Sequence, residues 1–252
     1  MVWHKVVGTG PKKAVVIHGW FYDHRIFEPL IDCLDRDRYS YAFFDVRGYG
    51  NSREVAGVHS IEQMAHDAIA LTDMLGWKAF SVIGHSMGGK AAQRLAILAG
   101  NRIERVIGIT PVPAPSMGLD EAGRNYFASA ATDDGVALQL ISESLGFRLS
   151  DAWMRGLLHK ARSCTTSKIF AEYGASFTES DLSVGAGNVT APMLFLPGEF
   201  DQGVRVEILK AVIPGLFPQA KIEVLPNAGH YPMVETPVYL ATRIEKFLEA
   251  GE

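Results

Sequence analysis

Short apolar runs alternate with amphipathic segments along most of this chain. The runs have the length of buried strands, and the segments between them place apolar residues at helical spacing. This alternation predicts an α/β fold class, a mostly parallel central sheet with helices on both faces. The predicted strands are Val2–Val7, Ala14–His18, Tyr41–Val46, Ala79–Gly84, Ile103–Thr110, Met193–Leu196 and Lys221–Leu225.

Helical patterns occupy the segments between these strands. Ser60 followed by Gln63 is typical of a capping box, so this helix has the best-defined start. Pro29 lies in the opening turn of its helix, where proline is tolerated. The predicted core helices are Ile26–Leu34, Ser60–Leu75, Met87–Ala99, Val204–Ile213 and Val238–Glu249.

The alternation fails in the middle of the chain. The proline-rich run Pro111–Pro115 interrupts it, and helical patterns without clear strands follow, one of them starting at the N-cap candidate Ser150. We therefore predict an α/β core formed by residues 1–111 and 190–252 and a helical cap insertion at residues 112–189. Ordinary crossover helices of a larger sheet are the alternative interpretation of the insertion.

Composition narrows the class of protein. The 252 residues are 48% hydrophobic, enough for one large core with a small insertion, and the net charge of −4 offers no basic surface for nucleic acid or an anionic membrane. The chain has no long apolar span and no signal-peptide core. Cys33 and Cys164 lie far apart and are interpreted as free thiols. We expect a cytoplasmic protein, monomer or homodimer, with no nucleic-acid or membrane partner.

The stretch Gly84-His85-Ser86-Met87-Gly88 carries the strongest chemical signal. It joins a predicted strand to a predicted helix, the context in which G-x-S-x-G indicates a nucleophile elbow. The chain must turn sharply there, so glycines flank a serine held in a strained conformation. Its hydroxyl would stand clear at the end of the sheet, beside the positive end of the following helix.

A serine hydroxyl needs a base to activate it and a group to orient that base. Two later strands end in loops that supply them, with Asp201 in the first and His230 in the second. The order Ser86, Asp201, His230 is the nucleophile, acid and base order of α/β-hydrolases. His230 would take the serine proton, and Asp201 would fix the imidazole tautomer. Other acidic residues compete for the acid role: Asp23, Asp45 and Glu199.

Attack on a carbonyl also requires two donors aimed at the oxyanion. The backbone N–H of Met87, directly after the nucleophile, is the first candidate. The second should come from the loop that follows strand Ala14–His18, where Gly19 leaves room for close backbone approach. The amide of Trp20 is therefore the second candidate.

These motifs together resemble a capped serine-hydrolase, carboxylesterase-like member of the α/β-hydrolase superfamily. One departure is the absence of a proline shortly after the acid, in Asp201–Arg205, and the insertion matches no cap that would identify a substrate. The resemblance implies structural roles for His18 and His85, no metal ion and no cofactor. The matching segments are His18–Trp20, Asp45–Ser52, Gly84–Gly89, Gly198–Asp201, Gly229–His230 and Glu235–Pro237.

Serine at the elbow favours an acyl-enzyme, and hydrolysis of small to medium hydrophobic carboxylic esters is our first hypothesis. Trp20, Phe21 and Trp153 are the candidate substrate-binding residues. A carbon–carbon hydrolase of ring-cleavage products is less favoured, because His85 and Tyr231 replace the asparagine and tryptophan typical of that group. Cofactor-free perhydrolysis and a non-catalytic, ligand-sensing relative remain further alternatives.

Overall fold

The structure, a computed structural model, describes residues 1–250. Within this range the strands are β1 (His4–Val7), β2 (Lys12–Ile17), β3 (Tyr39–Phe44), β4 (Phe80–His85), β5 (Ile103–Ile109), β6 (Met193–Leu196) and β7 (Lys221–Ile222). They form one sheet in the order β1-β3-β2-β4-β5-β6-β7. Only β1 runs antiparallel to its neighbour, so the predicted mostly parallel sheet is confirmed.

Parallel strands need crossover connections, and helices form these connections here. Helix α2 packs against α3, and α1 packs against α10. Among the described residues the helices are α1 (Glu28–Ile31), α2 (Ile61–Met74), α3 (Met87–Ala99), α4 (Glu121–Ser129), α5 (Asp134–Ser144), α6 (Asp151–Cys164), α7 (Ser167–Glu179), α8 (Val206–Leu216), α9 (Pro232–Glu235) and α10 (Pro237–Glu249). None of these helices is long and apolar enough to span a lipid bilayer.

Some strands of the sheet are buried along their whole length. Every residue of β3 and β4 is buried, as expected for parallel strands covered on both sides. The register brings Ile17 opposite both Phe44 and Gly84, so the carboxyl ends of β2, β3 and β4 lie level. Ile109 of β5 pairs with His85, which places the end of β5 at the same edge. The loops that leave this edge are therefore close in space.

Two predicted core elements are shorter in the structure than predicted. The predicted helix Ile26–Leu34 is a 3-10 turn, His24–Phe27, followed by the short helix α1. Asp23 caps the turn, accepting a hydrogen bond from the Arg25 amide, which starts the element early. The Asp35 side chain accepts hydrogen bonds from the backbone amides of residues 37 and 38. These bonds form a turn, and the helical pattern does not continue through it.

The second shortened element is the last strand. Only Lys221–Ile222 of the predicted strand Lys221–Leu225 has regular strand geometry, although the amides of Glu223 and Leu225 still donate to the carbonyls of Phe195 and Pro197. Leu225 pairs again through an isolated bridge to Gly198. This bridge brings the loops after β6 and β7 together.

Helices α4–α7 lie between β5 and β6, and α7 is fastened to the core by polar contacts. The indole of Trp20 donates to the Phe170 carbonyl at 2.8 Å. The fully buried Lys90 of α3 donates to the carbonyls of Pro115, Phe177 and Ser180 at 2.7–2.9 Å. Burial lowers the pKa of Lys90 to about 8. These bonds give a partner to each of the three ammonium N–H donors of Lys90 and to carbonyl oxygens at the end of α7.

Candidate active site

Ser86 occupies a strained turn between β4 and α3. Its φ of 55° and ψ of −116° lie in a region that non-glycine residues rarely adopt. A Cβ at Gly84 would collide with the Gly88 carbonyl, and one at Gly88 would lie 2.5 Å from the Ile17 carbonyl oxygen. Both flanking glycines are therefore required sterically, as the sequence motif suggests.

Ser86, His230 and Asp201 form a continuous chain of hydrogen bonds. The Ser86 Oγ lies 2.8 Å from His230 Nε2, and His230 Nδ1 lies 2.6 Å from Asp201 Oδ2. All three residues are buried. Since a carboxylate only accepts, Nδ1 carries the proton toward Asp201 and Nε2 is free to accept from the serine hydroxyl.

The second carboxylate oxygen of Asp201 fixes the orientation of the acid. Asp201 Oδ1 accepts from the backbone amides of Gly203 and Val204 at 2.8 and 2.9 Å. The sequence departs from the family at this loop, in which no proline follows the acid. Here two backbone donors hold the carboxylate toward His230.

The backbone of His230 is held from both sides. Its N–H donates to the Ser144 carbonyl at the end of α5, at 2.9 Å. Its carbonyl accepts from His85 Nε2 at 2.8 Å and from the Thr110 hydroxyl at 3.0 Å. The buried Glu235 carboxylate accepts from the amides of the two residues that flank His230, at 2.8 and 3.0 Å. The imidazole therefore sits on a fixed loop.

Arg148, in the segment between α5 and α6, contacts the loop that carries Asp201 and the loop that carries His230. Its guanidinium donates to the Asn227 side-chain oxygen at 2.7 Å and pairs with Glu235 at 3.4 Å. The guanidinium also lies over the ring of Phe200, 4.1 Å from the ring centroid. Phe200 directly precedes Asp201 in the sequence. Sequence reasoning missed this residue, because its partners are about eighty positions away and share no local pattern.

The three competing acids are engaged elsewhere. Glu199 accepts from the Asn227 amide at 2.8 Å, and Asp23 pairs with Arg25. Asp45 accepts from His24 Nδ1 at 2.6 Å and from the Asn51 amide at 2.8 Å. Burial raises the pKa of Asp45, but these hydrogen bonds outweigh it and bring the pKa to about 2.

Asp23, His24 and Asp45 also form the only group among residues 1–250 whose side-chain ligand atoms approach closely enough for a metal ion, within 4.8 Å of one another. Each is already committed to a hydrogen bond or an ion pair within the protein. These contacts join the 3-10 turn that begins at His24 to the loop that follows β3.

The two candidate oxyanion donors lie beside Ser86. Met87 is the first residue of α3, where backbone amides have no partner within the helix. A Cβ on Gly19 would lie 3.2 Å from the Ser86 Cβ, so the backbone of Gly19, directly before Trp20, approaches Ser86 closely. The Tyr49 hydroxyl donates to the Trp20 carbonyl at 2.8 Å and fixes this loop.

His18 and His85 support the site as neutral imidazoles. The Val46 amide donates to His18 Nε2 at 3.0 Å, so Nδ1 carries the proton and donates to the Gly19 carbonyl at 2.8 Å. Burial lowers the pKa of His18 and lowers that of His85 well below its usual value. Both histidines therefore hold backbone segments rather than exchanging protons with Ser86.

A cavity of about 80 Å³ opens beside Ser86, and Trp20 and Phe21 are among its lining residues. Its other walls include Phe127, Phe177 and Tyr231. The Trp20 ring stacks on Phe170 of α7 at 4.0 Å between centroids. The walls of the cavity are thus mainly apolar, with five aromatic side chains, and Ser86 and His230 are among its polar lining residues.

Trp153, the third candidate substrate-binding residue, lies outside the walls of this cavity. It packs edge-on against Tyr231 at 5.6 Å and lines a separate pocket of about 230 Å³. The helical pattern placed Trp153 correctly on the apolar face of α6, but it carries no information on which cavity that face meets.

Comparison with known proteins gives a consistent result. A family model described as alpha/beta hydrolase fold matches residues 15–237. The pimeloyl-[acyl-carrier protein] methyl ester esterase of Nitrosomonas europaea is 25% identical over 247 residues, covering 92% of this chain and 94% of that protein.

Two solved structures are similar over nearly the whole chain. A bromoperoxidase from Bacillus anthracis superposes with a TM-score of 0.87 at 22% identity, covering 98% of this chain and 95% of that one. An esterase from Exiguobacterium antarcticum gives a TM-score of 0.85 at 19% identity, covering 99% and 96%. At these identities the likeness concerns the fold. The family model spans most of the chain, and this protein therefore belongs to the α/β hydrolase fold family.

Proposed function

We propose that this protein is a serine hydrolase that cleaves carboxylic esters of small to medium hydrophobic substrates through an acyl-enzyme intermediate. One observation carries the proposal, the buried hydrogen-bond chain from Ser86 through His230 to Asp201. Nucleophile, base and orienting acid within hydrogen-bond reach form the arrangement that activates a serine hydroxyl.

In the proposed mechanism, Ser86 Oγ attacks the ester carbonyl while His230 Nε2 takes its proton. Asp201 stabilises the imidazolium through Nδ1. The backbone amides of Met87 and Trp20 would donate to the developing oxyanion, each worth about 3 kcal/mol to the transition state. His230 then protonates the departing alkoxide, and a water molecule activated by the same imidazole releases the acid from Ser86.

The proposed substrate class follows from the cavity walls. Aromatic rings from Trp20, Phe21, Phe127 and Phe177 surround the reactive groups. Such walls favour apolar groups on the ester. We further propose that residues 112–189 act as a cap, since this segment supplies Phe127 and Phe177 and fastens to the core through Trp20. The curated relative named as a methyl ester esterase supports the ester class.

A panel of p-nitrophenyl esters of increasing acyl length tests the proposal. We expect wild type to cleave the short and medium-length members and Ser86→Ala to lose essentially all turnover, because the nucleophile is absent. Ser129→Ala, whose side chain is outside the cavity lining, is the matched control and should cleave at the wild-type rate.

Unchanged cleavage by Ser86→Ala would refute the assignment of the nucleophile. Rapid bleaching of a coloured dienoate by wild type, with negligible ester turnover, would favour the carbon–carbon hydrolase instead. Binding of an ester without turnover would favour the ligand-sensing relative.

A further inference from the structure

A second apolar cleft lies against the active-site cavity. It has a volume of about 170 Å³ and runs between the segment 112–117 and helix α8. Four residues line both spaces: Val112, Met117, Gly203 and Val204. The two compartments are therefore neighbours that share part of their lining.

The lining of this cleft selects for an apolar occupant. Its far wall consists of Pro113, Pro115, Ile208 and Val212, and none of its lining residues carries a charge. Ile208 is 36% exposed, so the cleft opens outward along α8. A hydrocarbon chain is the ligand that such a surface binds best, because burying it removes apolar area from water without an unpaired polar group.

Both sides of the cleft are tied directly to the proposed catalytic residues. The Val112 amide donates to the Ser86 carbonyl at 3.1 Å, and Lys90 holds the Pro115 carbonyl at 2.9 Å. On the other side, the Val204 amide donates to Asp201 Oδ1 at 2.9 Å. The walls are thus preorganised at a fixed position relative to the reacting atoms.

We propose that this cleft is the subsite for a linear alkyl chain of the ester, continuing the cavity past Val112, Met117 and Val204. The proposal rests on the proposed ester hydrolysis. A water molecule occupies about 30 Å³ in the liquid, so the inner cavity of about 80 Å³ holds roughly three atoms of that size. The cleft, of about 170 Å³, holds roughly six more. Esters with a chain of about six to eight carbons are the expected substrates.

Filling the cleft tests this subsite. In Ile208→Trp the indole would occupy the space of the distal carbons, each of which contributes about fourfold to binding when buried. We expect kcat/KM for p-nitrophenyl octanoate to fall about tenfold or more, while p-nitrophenyl acetate stays within about twofold of wild type. Lys210→Trp, on the same helix but outside the cleft lining, is the matched control and should keep the wild-type profile. A parallel series of alkyl acetates reports whether the alcohol chain uses the cleft instead.

A binding measurement separates this proposal from the proposed function. We expect 1-octanol to raise the melting temperature of Ser86→Ala, which cannot turn over, and to have a smaller effect once Ile208→Trp is added. That result together with no ester cleavage by wild type would leave the subsite in place and remove the hydrolase. Cleavage of esters with identical chain-length profiles in wild type and Ile208→Trp, for both ester series, would overturn the subsite and leave the hydrolase.

Discussion

The backbone strain at Ser86 should be measurable as stability. Its φ of 55° and ψ of −116° cost about 1–3 kcal/mol for a residue with a Cβ. Ser86→Ala and Ser86→Gly both remove the hydroxyl that bonds to His230, but only glycine also relieves the strain. Glycine loses about 0.5–1 kcal/mol more backbone entropy than alanine on folding. The strain relieved by glycine therefore exceeds its extra entropy cost, and we expect the free energy of unfolding of Ser86→Gly to be higher than that of Ser86→Ala by about 1 kcal/mol.

Thermal and urea unfolding of the two variants measure this difference directly. For a chain of this length, 1 kcal/mol corresponds to about 2–4 °C in melting temperature. Ser129, the last residue of helix α4, provides a matched pair at a position without a positive φ, where glycine should not be the more stable substitution. A melting temperature for Ser86→Gly at or below that of Ser86→Ala would refute the strained elbow.

Three further predictions concern the acids and the loop contacts. Asp201→Asn should lower kcat for p-nitrophenyl butyrate about 10⁴-fold, because the imidazole tautomer is lost. The kcat of Glu199→Gln should stay within about threefold of wild type, and the reverse pattern would identify Glu199 as the acid. Arg148→Met should lower kcat more than it raises KM, with partial recovery in Arg148→Lys, and an unchanged kcat would remove its positioning role. Asp45 has a folded pKa of about 2, below its unfolded value, so its stabilisation is present above about pH 4 and lost as the pH falls toward 2. Urea unfolding should therefore show Asp45→Asn about 2 kcal/mol less stable than wild type at pH 7 and converging with it near pH 2, and a constant difference would contradict this.

The strands and the elbow could be predicted from the sequence because their signals are local. Fully buried parallel strands appear as uninterrupted apolar runs, as in β4. Helix α3 begins and ends at the predicted residues, since Met87–Ala99 lies between a sharp turn and Gly100. The order of Ser86, Asp201 and His230 along the chain was sufficient to select them as candidates, and their roles stay predictions until tested.

Other features depend on contacts between distant parts of the chain. Helix α4 has no fully buried residue, and the sequence did not delimit it. The contacts of Ser144 and Arg148 with the histidine loop join segments about eighty residues apart. No periodicity encodes such pairs. For the same reason the pattern could not show that Trp153 lines a separate pocket and not the cavity beside Ser86.

Covalent capture of the nucleophile is the most direct test of the proposed chemistry. A fluorophosphonate reacts with an activated serine hydroxyl, so intact mass and peptide mapping after brief exposure identify that residue. We expect one adduct per chain, on Ser86, absent in Ser86→Ala and formed far more slowly in His230→Ala. An unmodified Ser86 in protein that continues to cleave esters, or an equally fast adduct on another serine, would contradict the assignment.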